Sequence, residues 1–167
     1  MISIIGLGTG ASAIAEKFTP ISQYNVYLLN DSITRNSKYK FKIRSYETPE
    51  EYEKDIPDVR KFFANVDQRI QIFITGSSYS SNYVLGILEQ LHNKQLEVFY
   101  IQPDIELLTG IPKLLENTVF GVLQEYARSG LFESITLLSN LNIEQTLGDV
   151  PIKTYFSVIN NSIFSTV

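Results

Sequence analysis

With 167 residues, 44% of them apolar, the chain is sized for one domain with a core of its own. Its formal charge of −4 argues against a nucleic-acid module held by phosphate contacts. It has no Cys and a single imidazole, His92, which excludes disulfides, thiolate zinc sites, Cys nucleophiles and any site needing two His ligands. Chemistry is left to carboxylates, hydroxyls, amides, Lys/Arg and backbone N–H groups.

In chain order, Met1-Ile2-Ser3-Ile4-Ile5-Gly6 carries no basic leader, and no apolar run comes near the ~20 residues of a membrane span. A soluble cytoplasmic protein is the expectation. Six apolar runs rich in β-branched or aromatic residues succeed one another: Met1–Leu7, Tyr24–Leu29, Tyr39–Arg44, Ile70–Thr75, Leu96–Ile101 and Ser134–Ser139. Most are nearly continuous in apolarity, as strands covered on both faces are. Between them stand residues at helical spacing: Ala11, Ile14, Ala15 and Phe18; Val84, Ile87, Leu88 and Leu91; Leu115, Val119, Val122, Leu123 and Tyr126. Alternation of this kind predicts a single α/β domain over residues 1–167: a doubly wound, mostly parallel six-stranded sheet with helices on both faces.

Helix punctuation agrees. Thr48-Pro49-Glu50-Glu51 forms a capping box with Pro at the first helical position, and Pro57 breaks or kinks that segment before Val59–Val66. Gly130 stops the long fifth-segment helix, and Asp149-Val150-Pro151 opens a final one with Ile152, Phe156, Ile159 and Ile163 on one face. His92 falls near a helix C-terminus, where a cation complements the dipole. In Lys38-Tyr39-Lys40-Phe41-Lys42-Ile43-Arg44 cations alternate with apolar residues. An edge strand whose lysines deter edge-to-edge pairing explains this better than an anion-binding strip. Asp55 with Asp58, and Asp104 with Glu106, are short-spaced carboxylates better read as solvated than as cation ligands.

Two loops are candidates for chemistry. Gly6-Leu7-Gly8-Thr9-Gly10-Ala11-Ser12 joins the first strand to the first helix, where glycines admit a phosphate to backbone N–H groups. Gly6-x-Gly8-x-x-Ala11, with Asp31 after the second strand, also fits a permissive dinucleotide fingerprint, and a tight turn without ligand fits too. Thr75-Gly76-Ser77-Ser78-Tyr79-Ser80-Ser81-Asn82 comes after the fourth strand. In a parallel sheet it would lie beside the first loop, and two phosphate-type loops on one sheet edge favour a nucleotide; ordinary Ser capping is the alternative.

The order of these features resembles the nucleotide-binding domain of the FtsZ/tubulin family along essentially the whole chain. The Gly6–Gly10 loop, Asn30-Asp31 after strand two, the Gly76–Asn82 loop, Leu96–Pro103, Leu137-Leu138-Ser139-Asn140 and Tyr155–Asn161 stand in the family's sequence. The last resembles the start of its central helix, within residues 151–167. The resemblance implies a guanine nucleotide, GTP or GDP, with Mg²⁺ at a triphosphate. Gly8, Thr9, Gly10, Ala11 and Ser12 would hold phosphates, with Gly76, Ser77, Ser78 and Ser80 as the opposite loop. Asn30 would approach ribose or phosphate, and Asn140 and Asn160 the base. Asn160 stands where FtsZ has Asp and tubulin Asn; an amide offers guanine one acceptor oxygen where a carboxylate offers two.

The chain also departs from the pattern. Only Gly76 remains of a glycine-rich signature loop, and each added Cβ narrows the space above the phosphates. Arg44-Ser45-Tyr46-Glu47-Thr48 lacks a third-strand glycine, and Glu47, Glu50 and Glu51 repel a triphosphate without Mg²⁺. The family's catalytic acidic loop comes after the central helix, and Val167 falls inside that helix, so no catalytic residue is assigned and homopolymer-coupled GTP hydrolysis is not expected. Self-association or a protein partner is implied. Two alternatives stand: an interaction module that kept the fold and lost its nucleotide, and an NAD-binding Rossmann domain using Asp31.

Overall fold

The computed structural model describes residues 1–43, 58–75, 84–91, 93–102, 123–125, 134–139 and 164. Six strands are described: β1 (Ile2–Leu7), β2 (Tyr24–Asn30), β3 (Lys40–Lys42), β4 (Arg69–Thr75), β5 (Gln95–Gln102) and β6 (Ser134–Ser139). Helix α1 (Thr9–Ala15) runs into a 3₁₀ turn, Glu16–Phe18, and α2 spans Val84–Gln90. The strands form one sheet in the order β3-β2-β1-β4-β5-β6, and every pairing is parallel. The chain starts in the middle, winds outward to β3, then crosses back to β4 and winds the other way. The sheet is therefore doubly wound, with its topological switch between β1 and β4.

Parallel strands with both faces covered read as apolar runs because both side-chain sets are buried. One face carries Ile5, Leu7, Tyr27, Leu29, Ile70, Ile72, Ile74 and Val98, packed with Ile87, Leu88 and Leu91 of the α2 segment and with Val59, Phe63 and Val66. The residues from Arg60 to Asn65 form turns rather than a helix. The other face carries Ile4, Leu28, Phe73 and Ile101 under Ala11, Ile14, Ala15 and Phe18. Phe18 also meets Phe164, helical and edge-on at a centroid distance of 4.8 Å. The helical spacing expected at Ala11–Phe18 and at Ile87–Leu91 is thus the packing face of each element.

The third run shortens to three residues at the sheet margin. Lys40 and Lys42 are exposed and Phe41 half-buried, as an edge strand requires. Its outer main-chain groups are taken by its own loop. The Ser37 N–H donates to the Lys40 carbonyl at 2.8 Å, and the Lys42 N–H donates to Asn36 Oδ1 at 2.6 Å.

A polar clamp ties β1, β2 and β4 together at the opposite end of the sheet. Ser3 Oγ and Asn25 Nδ2 donate to Asp67 Oδ2 at 2.8 and 2.9 Å, and the Asp67 N–H returns a bond to Ser3 Oγ at 3.0 Å. Burial opposes ionisation of Asp67, but the bonds from Asn25 and Ser3 and the nearby terminal ammonium outweigh it, so its pKa is lowered. A depressed folded pKa gives stability that is complete above the ordinary carboxylate value of about 4 and is lost as pH falls through the folded value. Acid unfolding followed by circular dichroism is therefore expected to show a smaller loss between pH 5 and pH 2 in Asp67→Asn than in the parent.

The capping box at Thr48–Glu51, Pro57, His92, Asp104 with Glu106, Gly130 and Asp149–Pro151 lie outside the described residues. Asp58 is exposed and held bidentate by Arg60 at 3.0 and 2.8 Å. Those bonds lower its pKa to about 2, so this carboxylate serves a local ion pair.

Candidate functional site

At the C-terminal end of β1 the chain makes a turn open only to glycine. Gly8 has φ 93° and ψ 165°, a region in which a Cβ is strained by about 1–3 kcal/mol. Its N–H donates to the Leu29 carbonyl at 2.7 Å, fixing the turn against β2, and its carbonyl accepts the Ser12 N–H at 2.9 Å to begin α1. The N–H groups of Thr9, Gly10 and Ala11 precede that first helical donor. Those of Gly10 and Ala11 have no hydrogen-bond acceptor among the described residues, as expected for the orphan donors of a helix start.

Gly6 serves a different purpose from the one suggested by the loop motif. A Cβ there would lie 2.8 Å from Ala15 Cβ and 2.8 Å from Ser12 Cα, so the missing side chain lets α1 lie directly on β1. Ala11 is fully buried in the same contact.

Ser12 and Asn30, both expected to face a ligand, are buried and bonded to each other. Asn30 Nδ2 donates to Ser12 Oγ at 2.9 Å, and Ser12 Oγ donates to the Gly6 carbonyl at 3.3 Å. Asn30 Oδ1 accepts the N–H groups of Ser32 and Ile33, each at 3.0 Å, and the Asn30 carbonyl accepts the Ile43 N–H at 3.0 Å. The side-chain amide of Asn30 thus braces the first loop and the β2–β3 loop, and its main-chain carbonyl holds the residue after β3. Asp31 beside it is exposed.

The second loop lies outside the described residues, so Gly76, Ser77, Ser78 and Ser80 are not placed, and neither are Asn140 and Asn160. What is placed is Thr75, the last residue of β4, whose strand lies directly beside β1. Thr75 Oγ1 is buried without a hydrogen-bond partner among the described residues and lies 3.2 Å from where a Gly10 Cβ would sit. The sequence places it at the head of the second loop; the structure makes it the final residue of the strand. A buried hydroxyl, a bare glycine and the N–H groups of Gly10 and Ala11, none with a partner among the described residues, gather where the winding of the sheet reverses, the usual ligand crevice of an open α/β sheet. These groups fit a phosphate on the loop after β1. Beside it an open cleft of about 540 Å³ runs between α1 and the β2–β3 segment, with Ser12 and Asn30 buried in it and Arg35 and Lys40 exposed on it.

Among the described residues no group of three or more His, Asp or Glu side chains is placed to hold a metal, and no helix is long and apolar enough to cross a membrane.

No family model matches the chain, and no curated protein sequence matches it. In structure it is similar to an FtsZ from M. jannaschii, solved as an empty dimer, with a TM-score of 0.76 over 98% of this chain. The fold is FtsZ-like. Sequence identity to that FtsZ is 10%, so the FtsZ-like character concerns architecture: the parallel sheet, its winding order and the helices that cover it. The chain spans about half, 52%, of the length of that FtsZ chain.

Proposed function

We propose that the chain is a divergent FtsZ-like domain that binds a guanine nucleotide, GDP or Mg²⁺-bound GTP, with its phosphates on the loop after β1. The observation that carries this reading is the Gly8 turn, which leaves the N–H groups of Gly10 and Ala11 without acceptors among the described residues at the β1–β4 switch point. Backbone donors at a helix start are suited to an anion and need no cationic side chain. Ser12 and Asn30 act as positioning residues that hold the loop in shape. Gly76, Ser77, Ser78 and Ser80 supply the facing loop, and Asn140 and Asn160 address the base. The reading is one of binding, with no residue given a catalytic role. Self-association or a protein partner, in the cytoplasm, accompanies it and draws support from the likeness to an FtsZ dimer.

Calorimetric titration with GTP, GDP, ATP and NAD tests the reading. A guanine preference is expected; selective NAD binding lost in Asp31→Ala would establish the dinucleotide alternative instead. Gly8→Ala is expected to cost about 1–3 kcal/mol of stability and to weaken guanine nucleotide binding by about tenfold or more. Equal affinity in a folded Gly8→Ala chain would remove the phosphates from this loop.

A second reading has its own support. The Ser12–Asn30 pair closes the loop with the protein's own side chains, as an interaction module that had lost its nucleotide would need. Such a module shows no melting shift with any nucleotide.

A further inference from the structure

The β2 margin of the sheet is protected unevenly. β3 covers β2 only from Leu28 to Asn30, and the outer edge of β3 is capped by Asn36 and Ser37. The Leu28 N–H donates to the Tyr39 carbonyl at 2.8 Å. Two residues earlier, Val26 turns its N–H and C=O to the same side. Among the described residues no strand pairs with it there, and neither group has a partner.

An open cleft of about 490 Å³ lies at this place, and Tyr24, Asn25 and Val26 all line it. Successive strand residues point to opposite faces, so three in a row line one cleft only where the strand's edge faces it. The cleft adjoining α1 shares Glu16, Leu28 and Lys40 with this one and continues it toward Arg35. Arg35, Lys38, Lys40 and Lys42 are all exposed along the margin, and none forms a salt bridge among the described residues. Lys38 Nζ instead sits 5.3 Å from the centre of the Tyr39 ring. Glu16 is the one carboxylate among the described residues that line the two clefts.

We propose that this margin binds an extended acidic segment of a partner protein, which adds as a strand along Tyr24–Val26 and lays its carboxylates against Arg35, Lys38 and Lys40. The main chain of Val26, unpaired among the described residues, selects an extended peptide, since only a strand meets both its N–H and its C=O, and the clefts take alternate side chains. The cations select the sign of charge. They also disfavour a second copy, whose own β2 margin would bring the same lysines against these.

The test uses the full chain and three probe peptides, acetyl-EVEVEVE-amide, acetyl-KVKVKVK-amide and acetyl-EPEPEPE-amide, with NMR titration and amide exchange read at Val26. The first is expected to bind and to slow Val26 exchange by about tenfold or more, the second not to bind, and the third to fail because proline cannot donate to a ladder. The Lys38→Glu/Lys40→Glu chain, its fold checked by circular dichroism, is expected to bind the first peptide about tenfold more weakly or worse. Equal binding of the lysine or proline peptide overturns the proposal. So does binding of the first peptide without change at Val26, or a concentration-dependent dimer that Lys38→Glu/Lys40→Glu disperses.

Discussion

Gly6→Val is expected to lose about 3 kcal/mol or more of stability, among the largest single losses available to the chain. A Cβ at this position would meet Ala15 Cβ, Ser12 Cα and the Ala11 carbonyl at 2.8 to 3.0 Å. Two of the three are backbone atoms of α1, which no rotamer change can move aside. The helix would have to lift from β1, carrying with it Ile14, Ala15 and Phe18, whose burial against Ile4, Leu28 and Phe73 makes that face of the core. Even Gly6→Ala makes the same contacts. Urea unfolding reads the loss directly. A Gly6→Ala chain within about 0.5 kcal/mol of the parent would mean that α1 does not rest on β1 as described. Gly8→Ala differs in kind: its strain is local to the turn, and its effect extends to ligand affinity.

The second large effect is expected at Asn30. Its side chain donates to Ser12 Oγ and accepts from two N–H groups, with only 7% of its surface exposed. Asn30→Leu leaves the Ser32 and Ile33 N–H groups without that acceptor and Ser12 Oγ without a donor. Each buried unsatisfied group costs about 1–3 kcal/mol, and partial access of water to the exposed β2–β3 loop brings the expected total to about 2–4 kcal/mol. Asn30→Asp separates the two ends of the amide. A carboxylate keeps the two N–H bonds but cannot donate to Ser12, whose hydroxyl must then choose between Asp and the Gly6 carbonyl. A smaller loss, about 1–2 kcal/mol, is expected. If Asn30→Leu melts with the parent while losing nucleotide affinity, Asn30 contacts ligand and the bracing role is wrong.

The strands were legible because a parallel sheet covered on both sides needs no alternation, and Ile4-Ile5 or Ile72-Phe73-Ile74 can only be buried on two faces at once. The edge strand was legible from its lysines, yet its end was not, because Asn36 and Ser37 take its outer main-chain groups. Gly8 was readable as a turn from local sequence. The need for Gly6 depends on Ala15 returning over the strand, and the Ser12–Asn30 pair depends on β2 lying next to β1. Both residues look like ligand contacts in a linear motif for the same reason that they brace it: short polar side chains at strand ends reach backbone groups. Thr75 was legible as a hydroxyl residue heading the second loop, but its burial beside Gly10 depends on β4 lying next to β1. The clamp of Ser3, Asn25 and Asp67 likewise needs the order β2-β1-β4 before its members meet.

The central claim is that the N–H groups of Thr9, Gly10 and Ala11 hold the phosphates of a guanine nucleotide, and amide NMR of the whole chain titrated with GDP tests it most directly. The account predicts that these three amides shift together and saturably with GDP, and more than any others on the β1–β4 edge, while Asn30 Nδ2 keeps its bond to Ser12. Amides of Thr9, Gly10 and Ala11 that stay in place at millimolar GDP would contradict it.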